Sequence, residues 1–163
     1  MSIAPLAGLA RAVGEIPIEK LREYSGIELF RAMMAGELPS APIAATLGFW
    51  LQEAEPGRVV FAAVPEKRHY NPIGSVHGGF AATLLDSAMS CAVHSQLAKG
   101  FGYTTLEFKI NLVRPITDKT GPITCEGKSL AVGKRIGTSE GRIIDAAGKL
   151  YAHGTATCLI FEI

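Results

Sequence analysis

The stretch of residues 71–97 constrains the fold more than any other part of the sequence. A polar loop broken by Pro and Gly leads into His77-Gly78-Gly79, and helix-forming residues then continue without interruption. The pair Lys99-Gly100, a cation followed by glycine, is a typical helix end. The pattern therefore predicts one helix of roughly twenty residues, about 30 Å long. Its apolar residues lie nearly all round the axis, which is typical of a helix buried in a core.

Two features of this predicted helix indicate chemistry. Asp86 lies in its middle, where an ionised carboxylate is costly unless it is paired, hydrogen-bonded or functional. The first turn offers unpaired N–H groups and the positive end of the helix dipole, and Gly78 and Gly79 carry no side chain that would block a ligand there. An oxyanion-binding helix end and a carboxylate are two parts of a site for acyl transfer or hydrolysis.

The spacing of these two parts predicts an oligomer. Gly78 and Asp86 are eight residues apart, which is about 12 Å along one helix axis. One carbonyl carbon therefore cannot lie within ~3 Å of both. We expect two copies of the helix to lie antiparallel in a two-fold dimer, so that Gly78 of one subunit approaches Asp86 of the other in two shared sites.

Composition excludes several classes of protein. A chain of 163 residues that is 48% hydrophobic fits one domain with a sizeable core. A net charge of +1 gives no electrostatic case for binding nucleic acid. No apolar run approaches the ~18 residues of a membrane span, and the N-terminus lacks the order of a secretory signal. Residues 1–14 contain Arg11 and no acid, but they are too short and too poor in Ser and Arg to favour a transit peptide.

The cysteines and histidines do not indicate a metal site. The three cysteines are widely spaced in apolar surroundings, which is typical of reduced core thiols in a cytoplasmic protein. The histidines outside the loop show no metal-ligand spacing. We therefore expect no metal and no cofactor. The residues in question are Cys91, Cys125, Cys158, His69, His94 and His153.

The N-terminal 41 residues are interpreted as an extension of the main domain, which spans residues 42–163. Residues 1–17 are a loose lead-in, and Ile18–Ala35 is an amphipathic helix that Gly26 interrupts, so that it forms one helix or two short ones. This helix is either a flap packed on the domain or a lid over an acyl pocket. Pro39 and Pro42 form a stiff connector.

The remaining pattern predicts an α+β domain in which a curved antiparallel sheet of about six strands wraps round the long helix. After Gly100 the chain alternates apolar and polar residues until Pro115, and Thr104 has the parity of the apolar set, so its hydroxyl is expected to face the helix. A hairpin at Glu55-Pro56-Gly57 joins the first two strands. These first two strands are Thr46–Glu53 and Arg58–Val64, and the last three are about Ile123–Val132, Arg135–Asp145 and Leu150–Phe161.

Three segments together match a known family. Residues 71–79 read Asn-Pro-x-Gly-x-Val-His-Gly-Gly, residues 83–86 read Thr-Leu-Leu-Asp, and Gly102-Tyr103-Thr104 opens a strand. This arrangement resembles the hotdog-fold acyl-CoA thioesterases, most of all the phenylacetate-pathway and Arthrobacter-type 4-hydroxybenzoyl-CoA branch. The resemblance covers about residues 42–161.

The resemblance implies a hotdog homodimer, often paired into a homotetramer, that hydrolyses acyl-CoA thioesters without a metal. It implies a backbone oxyanion donor at Gly78, an amide that polarises the carbonyl at Asn71, and a carboxylate at Asp86. Some relatives place a hydroxyl at the position of Ser90, and others at Thr104. The Arthrobacter-type enzyme has Glu and Gln where this chain has Asp86 and Asn71, so the choice between nucleophile and general base stays open.

Each of these residues also has a structural interpretation. Asp86 is suited to cap a turn, and Asn71 is a common turn residue. His77 either acts as a base or holds the loop by hydrogen bonds, and its place at the helix start favours the loop. Ser90 either packs or orients the carboxylate or a water. Thr104 is a candidate because of its parity.

Substrate binding is expected between two subunits, along the long helix and the strand that begins at Thr104. The pattern does not distinguish an aryl from a short- or medium-chain acyl group. The phosphates of CoA need cations at the mouth of the cleft. The candidates are Gly79, Phe80, Met89 and Tyr103 for the acyl part, and Arg114, Lys134 and Arg135 for CoA.

Two other functions compete with that of a thioesterase. An acyl hydratase of the same fold needs an acid–base pair at the acyl β-carbon, and its motifs differ from His77-Gly78-Gly79 followed by Asp86. A non-catalytic acyl-CoA sensor would lack the helix carboxylate and would usually add a DNA-binding segment. Thioester hydrolysis agrees best with the residues present.

Overall fold

The computed structural model describes residues 12–163. Four α-helices and six strands follow one another there, with a single 3-10 turn at Lys67–His69. The helices are α1 (Ile18–Leu21), α2 (Gly26–Ala35), α3 (Pro42–Leu47) and α4 (Gly78–His94). The strands are β1 (Phe49–Glu55), β2 (Arg58–Ala63), β3 (Phe101–Leu112), β4 (Ile123–Val132), β5 (Ile136–Asp145) and β6 (Leu150–Glu162).

The strands form one antiparallel sheet in the order β1-β2-β4-β5-β6-β3. The helix α4 packs across it, with contacts to β2, β3, β4, β5 and β6. Leu84, Leu85, Ala88 and Met89 of α4 are completely buried against this surface. The predicted α+β architecture, a six-stranded sheet round one long helix, is confirmed.

Glycines in the central strands allow the sheet to close on α4. A Cβ atom at Gly127 would overlap the main-chain carbonyl of Ala88, and one at Gly141 would lie 2.7 Å from Cγ of Met89. Since a backbone carbonyl inside a helix cannot move aside, Gly127 is required by the packing distance. The curvature of the sheet is therefore set by residues that lack side chains on its inner face.

The long helix ends earlier than the sequence predicts. It spans 17 residues, about 25 Å, and stops at His94, not near Leu97. The reason is that Ser95 is engaged by the β1–β2 hairpin: its Oγ accepts from the Gly57 N–H at 2.8 Å and donates to the Ala92 carbonyl at 2.7 Å. The Leu97 carbonyl accepts from the Gly26 N–H at 3.0 Å, so the end of α4 is held by two other elements.

The N-terminal helical segment is broken at Gly26, as its glycine indicated. Ser25 and Glu28 form a capping box at the start of α2, and Gly36 ends this helix with φ 81°. The prediction of a first strand from Thr46 is wrong at its start. Pro42 begins α3 and Gly48, with φ 69°, ends it, so β1 starts only at residue 49.

The lead-in and transit-peptide predictions fall largely on residues 1–11, which lie outside the described residues. From residue 12 onward, no helix is long and apolar enough to cross a membrane. Residues 12–41 pack on the rest of the chain through α2, which contacts β1. The boundary at residue 42 stays a prediction.

Candidate active site

Asp86 is held by a hydroxyl of the neighbouring strand. It lies in the third turn of α4 and is half-buried. Thr105 Oγ1 on β3 donates to Asp86 Oδ1 at 2.9 Å. This hydrogen bond fixes one carboxylate oxygen and leaves the other, Oδ2, without a protein donor in the described part of the chain. A carboxylate oriented in this way can act as a nucleophile or accept a proton from water.

The expectation that the Thr104 hydroxyl faces the helix is wrong. Thr104 is exposed, and the side chain that reaches Asp86 is Thr105. The cause is a β-bulge: Thr105 pairs with Cys158 and Glu107 with Thr157, so Leu106 is an extra residue in β3. An extra residue reverses the alternation of inward and outward side chains on the two sides of the bulge. The apolar set that begins at Leu106 therefore does not define the parity of the residues before it.

A cavity of about 440 Å³ opens beside Asp86, and we call it the Asp86 chamber. One wall consists of Ser87, Ser90 and Cys91 of α4 together with Tyr103, Thr104 and Thr105 of β3. The other wall is apolar and comes from α2, α3, β1 and β2. Its largest side chains are Phe30, Met33, Ile43, Phe49, Trp50 and Phe61.

Of the acyl-binding candidates, Tyr103 lines the Asp86 chamber, whereas Phe80 and Met89 do not. Phe80 is 4% exposed and stacks on His69 with ring centroids 4.4 Å apart. Met89 is fully buried beneath the sheet at Gly141. Neither residue lines the Asp86 chamber, whereas Phe80 lines a separate cavity of about 350 Å³ beside His77 and Gly79, and their assignment to the acyl pocket stays a prediction.

The groups beside Asp86 do not compete with it as nucleophiles. Ser90 Oγ donates to the main-chain carbonyl of Asp86 at 2.6 Å and does not contact the carboxylate. Cys91 Sγ lies 3.7 Å from the Tyr103 hydroxyl. Burial raises the pKa of the Cys91 thiol to about 12, and burial also raises the pKa of Tyr103 well above its usual value. Both groups are therefore neutral at physiological pH.

The N-terminus of α4 carries a second set of polar groups. His77 is the N-cap, and its Nδ1 accepts from the Gly79 N–H at 2.8 Å. The Phe80 N–H donates to the His77 carbonyl at 3.0 Å. The N–H of Gly78, the first residue of α4, has no hydrogen-bond partner among residues 12–163. The His77 side chain thus caps the helix, and the Gly78 N–H is left free to donate.

Asn71 organises the loop that precedes this helix. Its Oδ1 accepts from the N–H groups of Ile73 at 3.1 Å and Ser75 at 3.3 Å, and its Nδ2 donates to Ser75 Oγ at 3.1 Å. The turn interpretation of Asn71 is therefore correct. An amide nitrogen carries two hydrogens, so one remains for a second partner. Asn71 is able to hold the loop and to donate to a carbonyl at the same time.

These two sets of groups lie in different cavities of one subunit. Asn71, His77 and Gly78 line a cavity of about 230 Å³ together with Arg114, and we call it the Gly78 cavity. Asp86 does not line this cavity, and none of these four residues lines the Asp86 chamber. One subunit therefore holds the two sets of groups at separate places, as the eight-residue spacing predicts.

The cations proposed for CoA also lie at separate places. Arg114 Nη1 donates to the Leu150 carbonyl at 2.5 Å beside the Gly78 cavity. Lys134 and Arg135 lie in the β4–β5 turn, next to Ile136. Leu159 of β6 pairs with Ile136 on one side and with Thr104 on the other, so this turn lies near the start of β3. Arg114 is thus at the Gly78 end of the subunit, whereas Lys134 and Arg135 are at the Asp86 end.

Comparison with known proteins assigns the family. The model of the thioesterase superfamily matches residues 73–152, which include Gly78 and Asp86. Human acyl-coenzyme A thioesterase 13 is 33% identical over 112 residues, which cover 66% of this chain and 76% of that protein. The chain belongs to the thioesterase superfamily. The prediction of a thioester hydrolase with the hotdog fold is confirmed at this level.

Solved structures place this thioesterase near the phenylacetate-related members. A phenylacetic acid degradation-related protein from Ralstonia eutropha JMP134 is 28% identical with TM-score 0.72, over 80% of this chain and 98% of that one. A mutant of the phenylacetic acid degradation protein PaaI from Thermus thermophilus is 26% identical with TM-score 0.65, over 72% of this chain and 97% of that one. The alignments with curated relatives span 54% to 76% of their lengths.

Two other histidines, His94 and His69, have structural surroundings, whereas His153 is exposed. His94 packs between the rings of Phe30 and Tyr103, with centroids 5.4 and 4.9 Å away. His69 Nδ1 accepts from the Glu66 N–H at 2.9 Å. No group of three or more His, Cys, Asp or Glu side chains in residues 12–163 is arranged to hold a metal ion.

Proposed function

We propose that this thioesterase hydrolyses acyl-CoA to a free acid and CoA at two sites, each shared by two subunits. The observation that carries the proposal is the position of Asp86, oriented by Thr105 at the edge of an apolar chamber. The likeness to acyl-coenzyme A thioesterase 13 supports CoA as the thiol. An uncharged acyl group fits the chamber, and the carbonyl would lie at its mouth, next to Asp86.

The chemistry follows from the two half-sites. The thioester oxygen accepts from the Gly78 N–H of one subunit, with Asn71 as a second donor, because charge develops on that oxygen as the carbonyl is attacked. Asp86 of the other subunit either attacks the carbonyl carbon or removes a proton from an attacking water. The C–S bond then breaks and the CoA thiolate leaves. If Asp86 attacked, the acyl group is now bound to Asp86 as an anhydride, and a water hydrolyses it to the free acid and the carboxylate; if water attacked, the free acid forms directly and Asp86 holds the proton of that water. In both versions Asp86 reacts as the ionised carboxylate, so activity falls in acid.

The free edge of β3 is the surface that would bring the two half-sites together. β3 is the last strand of the sheet, so one side of it has no partner strand within the described chain. A long edge strand that exposes apolar side chains is a template for pairing with another chain. Large apolar side chains are exposed along and just after it: Leu106 55%, Phe108 40%, Leu112 56% and Val113 45%.

The position of each half-site along β3 supports this pairing. Thr105 bonds to Asp86, and Leu112 touches the Gly78 end, since a Cβ atom at Gly78 would lie 2.8 Å from Leu112 Cδ1. In an antiparallel pair of β3 strands with a two-fold axis near Phe108, Leu112 of one subunit lies opposite Thr105 of the other. That register brings Gly78 of one subunit toward Asp86 of the other. A tetramer and a cytoplasmic location stay predictions.

The activity is tested by detecting the free thiol released from a panel of acyl-CoAs. Asp86→Asn keeps the shape of the side chain and removes its charge and basicity, so we expect kcat to fall at least ~10²-fold. Glu140→Gln is the matched control, because Glu140 is an exposed carboxylate on β5 outside both half-sites. If wild-type protein binds acyl-CoA and releases no thiol, the chain is a binding protein and the proposal is wrong.

The shared site is tested by mixing two inactive variants. Gly78→Pro removes the N–H donor and keeps the helix, since proline is favoured at the first helical position and His77 already has φ −60° and ψ 137°. Mixed with Asp86→Asn under subunit exchange, half of the dimers carry one intact site. About a quarter of the wild-type activity should return. No recovery, with heterodimers shown by mass spectrometry, would disprove the two-subunit mechanism.

A further inference from the structure

The N-terminal helices are docked on α4 by a contact between backbones. The Gly26 N–H donates to the Leu97 carbonyl at 3.0 Å, and a Cβ atom at Gly26 would overlap the carbonyl oxygen of His94. Four residues later on α2, the ring of Phe30 packs edge-on against His94, with centroids 5.4 Å apart. Since α4 also carries Asp86, the position of α2 relative to the reactive carboxylate is fixed by this close approach.

The docked helices complete the Asp86 chamber. Phe30 and Met33 of α2 and Ile43 and Ala44 of α3 line it, on the side that faces α4 and β3. Trp50 of β1 continues this apolar wall. Without α2 and α3, the described chain would leave Asp86 beside an open surface.

The lining also indicates which substituents an acyl group can carry. Among the described residues that line the chamber, Asp86 is the one carboxylic acid and no Lys, Arg or His is present. A carboxylate on the acyl group would therefore find no cation, would lose its hydration, and would be repelled by Asp86. An uncharged apolar group gains free energy from the same transfer out of water.

We propose that α2 and α3 determine acyl selectivity: they form the far wall of an acyl-binding chamber that admits an uncharged, apolar acyl group of limited size and rejects acyl groups that end in a carboxylate. This rests on the proposed acyl-CoA hydrolysis. Phe30 is the size-determining residue, because its ring lies on the chamber and is 4% exposed, so removing the ring adds space inside the chamber. The N-terminal segment is thus part of the substrate site and not only a cover packed on the domain.

Phe30→Ala tests the assignment with a series of hexanoyl-, decanoyl- and phenylacetyl-CoA. The kcat/KM ratio of decanoyl- to hexanoyl-CoA should rise about 10-fold or more, since one methylene in a fitted pocket already changes kcat/KM by ~10-fold or more. Leu29→Ala is the matched control, because Leu29 is equally buried on α2 but packs with Ala32 and Leu38 away from the chamber. It should leave the ratio within about 2-fold of wild type. Phe30→Leu replaces Phe30→Ala for the same test if the alanine variant does not fold.

Gly26→Ala tests the docking of α2 without replacing any side chain that lines the chamber. Its methyl group forces α2 away from α4, so preference among the acyl groups should weaken while hydrolysis of acetyl-CoA persists. Succinyl-CoA, which ends in a carboxylate, should be at least ~10-fold poorer than butyryl-CoA for the wild-type protein.

Three results would overturn the proposal. They are equal losses for all acyl-CoAs in Phe30→Ala, the same ratio change in Leu29→Ala, or succinyl-CoA as good a substrate as butyryl-CoA. Each of them leaves acyl-CoA hydrolysis itself intact. Failure of the wild-type protein to hydrolyse any of these acyl-CoAs would instead refute the proposed function.

Discussion

The hydrogen bond from Thr105 to Asp86 gives the sharpest prediction, because the neighbouring residue serves as its control. Thr105→Val keeps the branched side chain and removes the hydroxyl that donates to Asp86 Oδ1 at 2.9 Å. A hydrogen bond to a charged group contributes ~1.5–3 kcal/mol. Its length exceeds the 2.5–2.7 Å that is usual for a hydroxyl bound to a carboxylate, and Asp86 is partly exposed to water. We therefore take the lower value and expect kcat/KM to fall about 10-fold.

The assay is the release of free thiol from a good acyl-CoA substrate, measured as a function of pH. Thr105→Val should also move the acid limb of the pH profile to higher pH, because the carboxylate loses a donor that favours its charged form. A purely structural role for Thr105 would lower activity without moving this limb. Thr105→Ser retains the hydroxyl and should restore most of the activity.

Thr104→Val distinguishes the two adjacent threonines. Thr104 lies on the chamber but makes no hydrogen bond to Asp86, so its loss of activity should be clearly smaller and the acid limb should stay in place. If Thr104→Val costs as much as Thr105→Val, or if Thr105→Val leaves both rate and pH profile unchanged, the positioning role of Thr105 is wrong.

Three further predictions concern assembly, CoA and stability. Phe108→Glu places a charge in the middle of the free β3 edge and should give an inactive monomer by light scattering; a fully active monomer would contradict the shared site. Arg114→Glu should raise KM for acyl-CoA and leave that for a short acyl-pantetheine unchanged, whereas equal effects on both would exclude a phosphate contact. Burial lowers the pKa of His94 from 6.5 to about 4, so between these pH values the unfolded chain binds a proton that the folded chain does not. Stability should therefore decrease as pH falls from about 6.5 to about 4, by at most ~3 kcal/mol, and His94→Phe should flatten the dependence of Tm on pH over this interval.

The elements that depend on local sequence were predictable. The apolar run after Gly79 forms α4, the alternating segments form the strands, and Gly57 turns the first hairpin with φ 82°. The separation of Gly78 from Asp86 was also predictable, because the rise of a helix fixes it. These are properties of short segments and do not depend on which elements later pack together.

What the sequence did not predict depends on contacts between distant segments. The bulge at Leu106 is defined by pairing of β3 with β6, and it moves the hydroxyl next to Asp86 from Thr104 to Thr105. The helix α4 is apolar nearly all round, so its pattern cannot indicate which side faces the chamber. The sequence therefore did not separate Phe80 and Met89, which do not line this chamber, from the residues of α4 that do. The part played by Phe30 follows from the docking of α2 at Gly26, about 60 residues before Asp86 in the chain.

The division of the site has a consequence for how substitutions combine. In the proposed dimer, the Asp86 chamber, with Phe30 and the carboxylate, belongs to one subunit, and the Gly78 donor and Arg114 that would serve the same thioester belong to the other. In a mixed dimer, one substitution that changes acyl selectivity and another that changes carbonyl or CoA binding therefore affect the same site only if different subunits carry them. Consider a mixed dimer of one Phe30→Ala chain and one Gly78→Pro chain. One site combines the enlarged chamber of the Phe30→Ala chain with the Gly78→Pro chain, which lacks the donor. The other site combines the intact donor of the Phe30→Ala chain with the unaltered chamber of the Gly78→Pro chain. The activity that survives in such a dimer should show wild-type acyl selectivity, although half of its chains carry the enlarged chamber. Enlarged-chamber selectivity in that mixture, after correction for Phe30→Ala homodimers, would place chamber and donor in the same subunit.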